Sequence, residues 1–150
     1  MRKFESVRED MRKNEYTPNL PKRGSKGSAG YDFVSTVDVT LRPNEEVMIW
    51  SDIKACMEHD EVLKLYPRSS MGMKGLEIKN TIGIVDSTYY GNPNNDGNIG
   101  FKLVNRGDSD IVINKGERII QGVFLKFLTV DGDDDNLLED RVGGYGSTGK

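Results

Sequence analysis

Short apolar runs broken by turn-forming residues dominate the chain. Residues 47–50, 62–66, 99–104 and 111–113 are such runs, and 119–128 is a longer one. Most have strand length, and turn residues punctuate the gaps, as at Asn114-Lys115-Gly116. This spacing predicts an all-β barrel or sandwich. The N-terminal stretch reads two ways. Phe4, Val7 and Met11 would share a helical face, whereas residues 3–7 equally open as a strand. Residues 14–28 are polar, contain Pro18 and Pro21, and read as an irregular connection. Residues 91–98, rich in Asn and Gly, read as a surface loop near the mouth of a site. The acidic stretch 131–135 lacks the full ligand pattern of a calcium loop and reads as solvated. No internal repeat or boundary divides the 150 residues, so one domain over 1–150 is expected.

Composition narrows the chemistry. With 35% hydrophobic residues and a mean hydropathy of -0.59, the chain is light on core, and oligomerisation would enlarge that core. A formal net charge of -3 argues against broad electrostatic binding to nucleic acid or membrane. Cys56 is the single cysteine, which excludes an intrachain disulfide and a cysteine metal cluster; an inert core thiol is expected. His59 is the single histidine and sits in a polar turn, so a Ser-His-Asp triad within one subunit and a multi-histidine zinc site are excluded. Hydrolytic chemistry would have to come from carboxylates, a hard metal and oriented water. Neither a secretory signal nor a transmembrane stretch is visible, and a cytoplasmic location is expected.

The C-terminal stretch 143–149 combines glycines, hydroxyls and Tyr145. Such a segment can close over a phosphorylated ligand, since glycines admit the backbone, hydroxyls and N–H groups bond phosphate, and the ring stacks. Arg141 adds a donor fork suited to phosphate. A tail this rich in glycine is expected to order on ligand.

Four further segments pair glycines with charged or hydroxyl residues. They are Ala29-Gly30-Tyr31-Asp32-Phe33, Pro67-Arg68-Ser69-Ser70-Met71-Gly72, Gly83-Ile84-Val85-Asp86-Ser87-Thr88-Tyr89 and Gly116-Glu117-Arg118-Ile119-Ile120-Gln121. With the tail, these five in this order resemble the motifs of the trimeric dUTP pyrophosphatases (dUTPases), from Ala29 to Gly149.

The resemblance implies a distorted jelly-roll β-barrel, assembled as a homotrimer with the C-terminal tail exchanged over a neighbouring subunit's site. Residues 1–140 would be the barrel and 141–150 the lid. It implies magnesium-dependent hydrolysis of dUTP to dUMP and pyrophosphate, by in-line water attack on the α-phosphorus. That reaction limits uracil in DNA and supplies dUMP for thymidylate synthesis. Each site would take residues from two subunits and a tail from the third.

By the same resemblance, Asp86 orients the attacking water, although a turn-capping aspartate is the plain alternative. Tyr89 would pack beneath the deoxyribose and exclude a 2′-hydroxyl, with Tyr90 beside it as a competing ring. Asn80 and the backbone of Ile84, Val85 and Asp86 would line a narrow hairpin pocket for uracil, and Gly100 is counted with the substrate-binding set. Arg68, Ser69 and Ser70 would hold the α- and β-phosphates, Ser70 standing where the family usually has glycine. Gln121 would bond the α-phosphate or the water, while Glu117 and Arg118 would pair structurally. Asp32 would act in the outer shell of Mg²⁺ through water, with no direct protein ligand to the metal. Arg141 would clamp the γ-phosphate, Tyr145 would stack on uracil, and Gly146, Ser147 and Thr148 would complete the phosphate cradle.

Two other readings compete. dCTP deaminase shares the fold and trimer, but needs a glutamate near the position of Lys102 to move protons to the ring. A binding module is the second. Phage-type relatives bind regulatory proteins, so a regulatory protein partner is expected if the chain derives from a phage.

Overall fold

The structure is a computed structural model, and it describes residues 1–16 and 19–139. Twelve strands account for nearly all its regular structure: β1 Lys3–Ser6, β2 Lys22–Arg23, β3 Tyr31–Val34, β4 Val39–Leu41, β5 Glu46–Trp50 and β6 Ile53–Cys56. They continue with β7 Glu61–Pro67, β8 Leu76–Ile78, β9 Gly83–Asp86, β10 Gly100–Asn105, β11 Ile111–Ile113 and β12 Arg118–Lys126. One α-helical turn, α1 Ser69–Gly72, follows β7. The architecture is all-β, as the run spacing predicts.

Every strand pairing is antiparallel. The largest sheet has the order β2-β3-β12-β7-β9, a second is β5-β10-β8, and β1-β6 and β4-β11 form two pairs. This jelly-roll-like arrangement encloses one apolar cluster that includes Phe33, Ile49, Leu63, Phe101, Leu103 and Ile120. Period-two alternation explains which side chains enter it. In β11, Ile111 and Ile113 are buried while Val112 between them is exposed; Leu76, Glu77 and Ile78 repeat the pattern in β8. A register shift between Arg118 and Ile120 breaks that alternation in β12, so Ile119 and Ile120 are both fully buried.

The N-terminal ambiguity resolves as a strand. Paired with β6, β1 sends Phe4 into an aromatic cluster, 5.3 Å from the Tyr31 and Phe124 rings and 5.5 Å from Phe33. Such edge-on contacts add stability beyond the buried area. Cys56 is half-buried on β6 rather than a core thiol, because its side of the strand faces outward between buried Ala55 and Met57. His59 is exposed in its turn, and residues 131–135 are exposed as expected.

Residues 91–98 are only in part the surface loop expected of their composition: Gly91, Pro93 and Asn94 are exposed. Asn92, Asp96, Gly97 and Asn98 are buried; Asp96 and Asn98 find polar partners inside, whereas Asn92 Nδ2 has none among the described residues. The Asp96 carboxylate accepts from the Arg8 N–H at 2.8 Å and pairs with Lys54 Nζ at 2.8 Å.

Candidate active site

The central strand β12 and its neighbours bring the first group of polar residues together. Gln121 stands opposite Asp32 on β3 and Tyr66 on β7. Just beyond β7, the Arg68 N–H donates to the Ile119 carbonyl, which fixes the start of the next turn beside β12. The Arg68 guanidinium then reaches back to Asp32, Nε to Oδ1 at 3.0 Å. Arg118 takes the other oxygen, Nη1 to Oδ2 at 3.2 Å. Ser69 and Ser70 follow Arg68 in α1, both exposed. Gly30 has a packing reason. A Cβ there would lie 2.7 Å from Gln121 Oε1, so only glycine admits that side chain.

Arg118 therefore does not pair with Glu117. Successive side chains on an extended backbone point to opposite faces, which separates these two neighbours. Glu117 instead closes its own turn by accepting from the Asn114 N–H at 2.9 Å. Arg118 crosses the sheet, a contact between residues 86 apart that no local pattern announces. A cavity of about 340 Å³ opens beside Asp32, lined by Tyr16, Lys22, Arg23 and Arg118 among others. Four cations counting Arg68, against one carboxylate, make this end of the sheet attractive to a polyanion. Lys22, Arg23 and Arg118 were missed as site residues by motif reading, although the basic pair at 22–23 was visible in the sequence.

The second group lies elsewhere. Asp86 ends β9 and caps the 3-10 turn Ser87–Tyr89, accepting from the Thr88 N–H at 3.1 Å and the Thr88 hydroxyl at 2.6 Å. The capping alternative is thus realised in the structure, and it also fixes the direction of the carboxylate. Tyr89 is 7% exposed; its hydroxyl donates to the Asn98 carbonyl at 2.7 Å and accepts from Asn95 Nδ2 at 2.7 Å. Tyr90 is committed to the N-terminal strand. Its hydroxyl donates to Glu5, which pushes the phenol up to about 12 and holds the Glu5 carboxyl below its usual range. Lys54 Nζ lies 5.0 Å from the centre of the Tyr90 ring.

Ile84 is exposed and Val85 buried, as alternation on β9 requires. Asn80 is exposed in the connection before β9, where Thr81 adopts φ 75. The expected hairpin is absent, since β8 pairs with β10 and β9 with β7, so residues 79–82 pass from one sheet to another. Gly100 opens β10, where a Cβ would stand 2.5 Å from Met48 Cε and 2.8 Å from the Trp50 ring. Lys102 on β10 lies 3.4 Å from Glu46 as an exposed ion pair.

The two groups occupy opposite ends of β7. Asp86 faces Val62, whereas Arg68 follows Pro67 at the far end. Six residue steps separate Val62 from Arg68, roughly 20 Å at the usual rise. One chain therefore does not gather Asp86 and the Asp32–Arg68–Gln121 group into a single pocket. Arg141, Tyr145, Gly146, Ser147 and Thr148 lie outside the described residues. Among the described residues, no three His, Cys, Asp or Glu side chains converge to hold a metal, and no helix is long and apolar enough to cross a membrane.

Comparison with known proteins identifies the family. A family model described as dUTPase matches residues 17–149. The deoxyuridine 5′-triphosphate nucleotidohydrolase of Lactococcus lactis subsp. lactis is 46% identical over 132 residues, spanning 87% of this chain and 88% of the relative. The crystal structure of dUTPase from Streptococcus mutans aligns with a TM-score of 0.74 and 38% identity, covering 86% of this chain and 98% of the other. The dUTPase of Staphylococcus aureus phage phi11, 21% identical, shares the fold at a TM-score of 0.69 over 93% of this chain and 99% of its own. A D95N mutant of that phage enzyme is the one in which coordination of a structural Mg(II) ion has been described.

Proposed function

The chain belongs to the dUTPase family and is a dUTP nucleotidohydrolase, and from that premise we propose how its residues divide the reaction between subunits. The separation of Asp86 from Arg68 along β7 is the observation that carries the reading. Each site combines Asp32, Arg68, Ser69, Ser70 and Gln121 of one subunit with Asp86 and Tyr89 of a neighbour in a homotrimer. Residues 1–140 form the barrel, and the tail 141–150 of a third subunit closes over the site.

Asp86 accepts a hydrogen bond from the attacking water and takes its proton as the oxygen bonds to the α-phosphorus. The bond from the α-phosphorus to the α,β-bridging oxygen breaks in line, and pyrophosphate leaves. Thr88 helps by fixing the carboxylate that must aim the water. Arg68, Ser69, Ser70 and Gln121 hold the α- and β-phosphates and stabilise the charge that builds on them. Asn80 and the backbone at Ile84 to Asp86 read the uracil edge, while Gly100 leaves room beside them. Arg141 clamps the γ-phosphate, Tyr145 stacks on uracil, and Gly146, Ser147 and Thr148 donate to the phosphates.

A carboxylate already bridged by two guanidiniums suits an outer-shell role, so Asp32 would meet Mg²⁺ through water. When bound, Mg²⁺ would supply charge neutralisation at the substrate phosphates. The location proposed for this activity is the cytoplasm.

Pyrophosphate release from dUTP, with and without magnesium and against dCTP, UTP and dTTP, tests this reading. Magnesium-stimulated release from dUTP alone is the expected result. Ammonia from dCTP would establish the deaminase, and bound but unhydrolysed dUTP would establish a sensor.

A further inference from the structure

Residues 91–98 have no assigned task, yet their polar groups are mostly turned inward. Asn98 is fully buried and exchanges two hydrogen bonds with Asp52: the Asp52 N–H donates to Asn98 Oδ1 at 3.0 Å, and Asn98 Nδ2 donates to Asp52 Oδ1 at 2.7 Å. The Asp52 carboxylate, itself fully buried, also accepts the N–H groups of Lys13 and Asn14 at 2.9 Å. Asp96 is held from the other side by Arg8 and Lys54. Gly97 adopts φ 81, and a Cβ on it would stand 2.6 Å from the Tyr89 carbonyl oxygen.

The segment tethered in this way in turn holds one side chain, Tyr89, by its hydroxyl. A phenol hydroxyl has one proton to give and lone pairs to receive. Both directions are used here by the same segment, through the Asn98 carbonyl and Asn95 Nδ2. Asn95 is itself oriented, because its Oδ1 accepts from the Gly97 N–H at 3.0 Å.

We propose that residues 91–98 form a clamp that fixes the depth of the Tyr89 ring, with Asn95 as a positioning residue, and thereby sets the discrimination between deoxyribose and ribose. The proposal rests on the reading that Tyr89 packs beneath the deoxyribose. Steric exclusion of one hydroxyl requires a wall that does not yield, and a displacement of about 1 Å is enough to change rates a hundredfold. A ring anchored at its far end by two hydrogen bonds is such a wall. Without those bonds, the ring can retreat and admit the 2′-hydroxyl.

The test measures kcat/KM for dUTP and for UTP on the full-length enzyme and four variants, with trimer mass and thermal midpoint as folding controls. Asn95→Ala and Tyr89→Phe should each lower the dUTP preference about tenfold, mainly by raising kcat/KM for UTP. The double variant should go no further, because both changes remove the same anchor. Tyr89→Phe keeps the loop and the ring, so it remains informative if Asn95→Ala folds poorly. If Tyr89→Ala loses the preference while Tyr89→Phe and Asn95→Ala keep it, the clamp is wrong and the sugar-platform reading stands. Additive losses would likewise overturn the clamp. If Tyr89→Ala keeps the preference, the sugar-platform reading fails, and the clamp with it.

Discussion

Asp86 is one side chain to which the proposed mechanism gives chemistry in addition to its structural task. Its carboxylate caps the Ser87–Tyr89 turn through Thr88, and the same bonds restrict where it can aim. Asn at this position keeps the shape and the capping oxygen but cannot take a proton. Asp86→Asn should therefore lower kcat for dUTP by about 10²–10⁴ with the thermal midpoint nearly unchanged. Steady-state turnover beside a melting curve checks it. Glu61 is a purely structural counterpart. It is 2% exposed, and the Arg2 guanidinium bonds both its oxygens, holding the carboxyl down at about 2. A depressed carboxyl contributes stability that is complete above its unfolded value of about 4.3 and is lost as pH falls through the folded one. The wild type should therefore melt above Glu61→Gln at pH 7, and the gap should close between about pH 4 and pH 2.

Elements show what the pattern of residues could and could not reveal. Strands β5, β7, β10, β11 and β12 follow apolar runs, because a strand buried on one face writes its alternation into the sequence. Strands β3, β4 and β8 are three or four residues long and mix polar with apolar side chains, so the runs passed over them. The motif residues were legible through the resemblance of five ordered segments to those of the dUTPases, not through composition or periodicity. Their partners were not. The contact of Arg118 with Asp32 and the burial of Asn92 and of residues 96–98 depend on which strands meet, which only the fold decides. The Asn- and Gly-rich composition of 91–98 suggested solvent, but the Asn95 and Asn98 amides serve as internal donors and acceptors. Gly97→Ala tests how tightly the segment packs. A side chain at φ 81, set against the Tyr89 carbonyl, should destabilise the protein by about 2 kcal/mol or more, read as a lowered thermal midpoint. Truncation after residue 140 addresses the tail. The barrel should keep its melting behaviour and oligomeric mass while losing most turnover.

Across the whole molecule, the length of β7 keeps the two polar groups apart. Asp86 stands opposite Val62 and Arg68 beyond Pro67, and a strand cannot fold back on itself to unite them. On the proposed division of the site, the Asp32–Arg68–Gln121 group of one subunit meets Asp86 of another across an interface between copies of the chain. Light apolar content fits such an arrangement, since a chain with 35% hydrophobic residues gains core by association. Complementation between subunits tests this most directly. Asp86→Asn and Arg68→Ala subunits, carrying different affinity tags, would be co-expressed, and trimers holding both tags isolated and assayed for dUTP hydrolysis. Each variant alone should be nearly inactive. In a mixed trimer, one interface pairs an intact Arg68 with an intact Asp86, so roughly a third of wild-type turnover should return. Mixed trimers as inactive as their parents would mean that each site lies within one subunit, and would contradict the account.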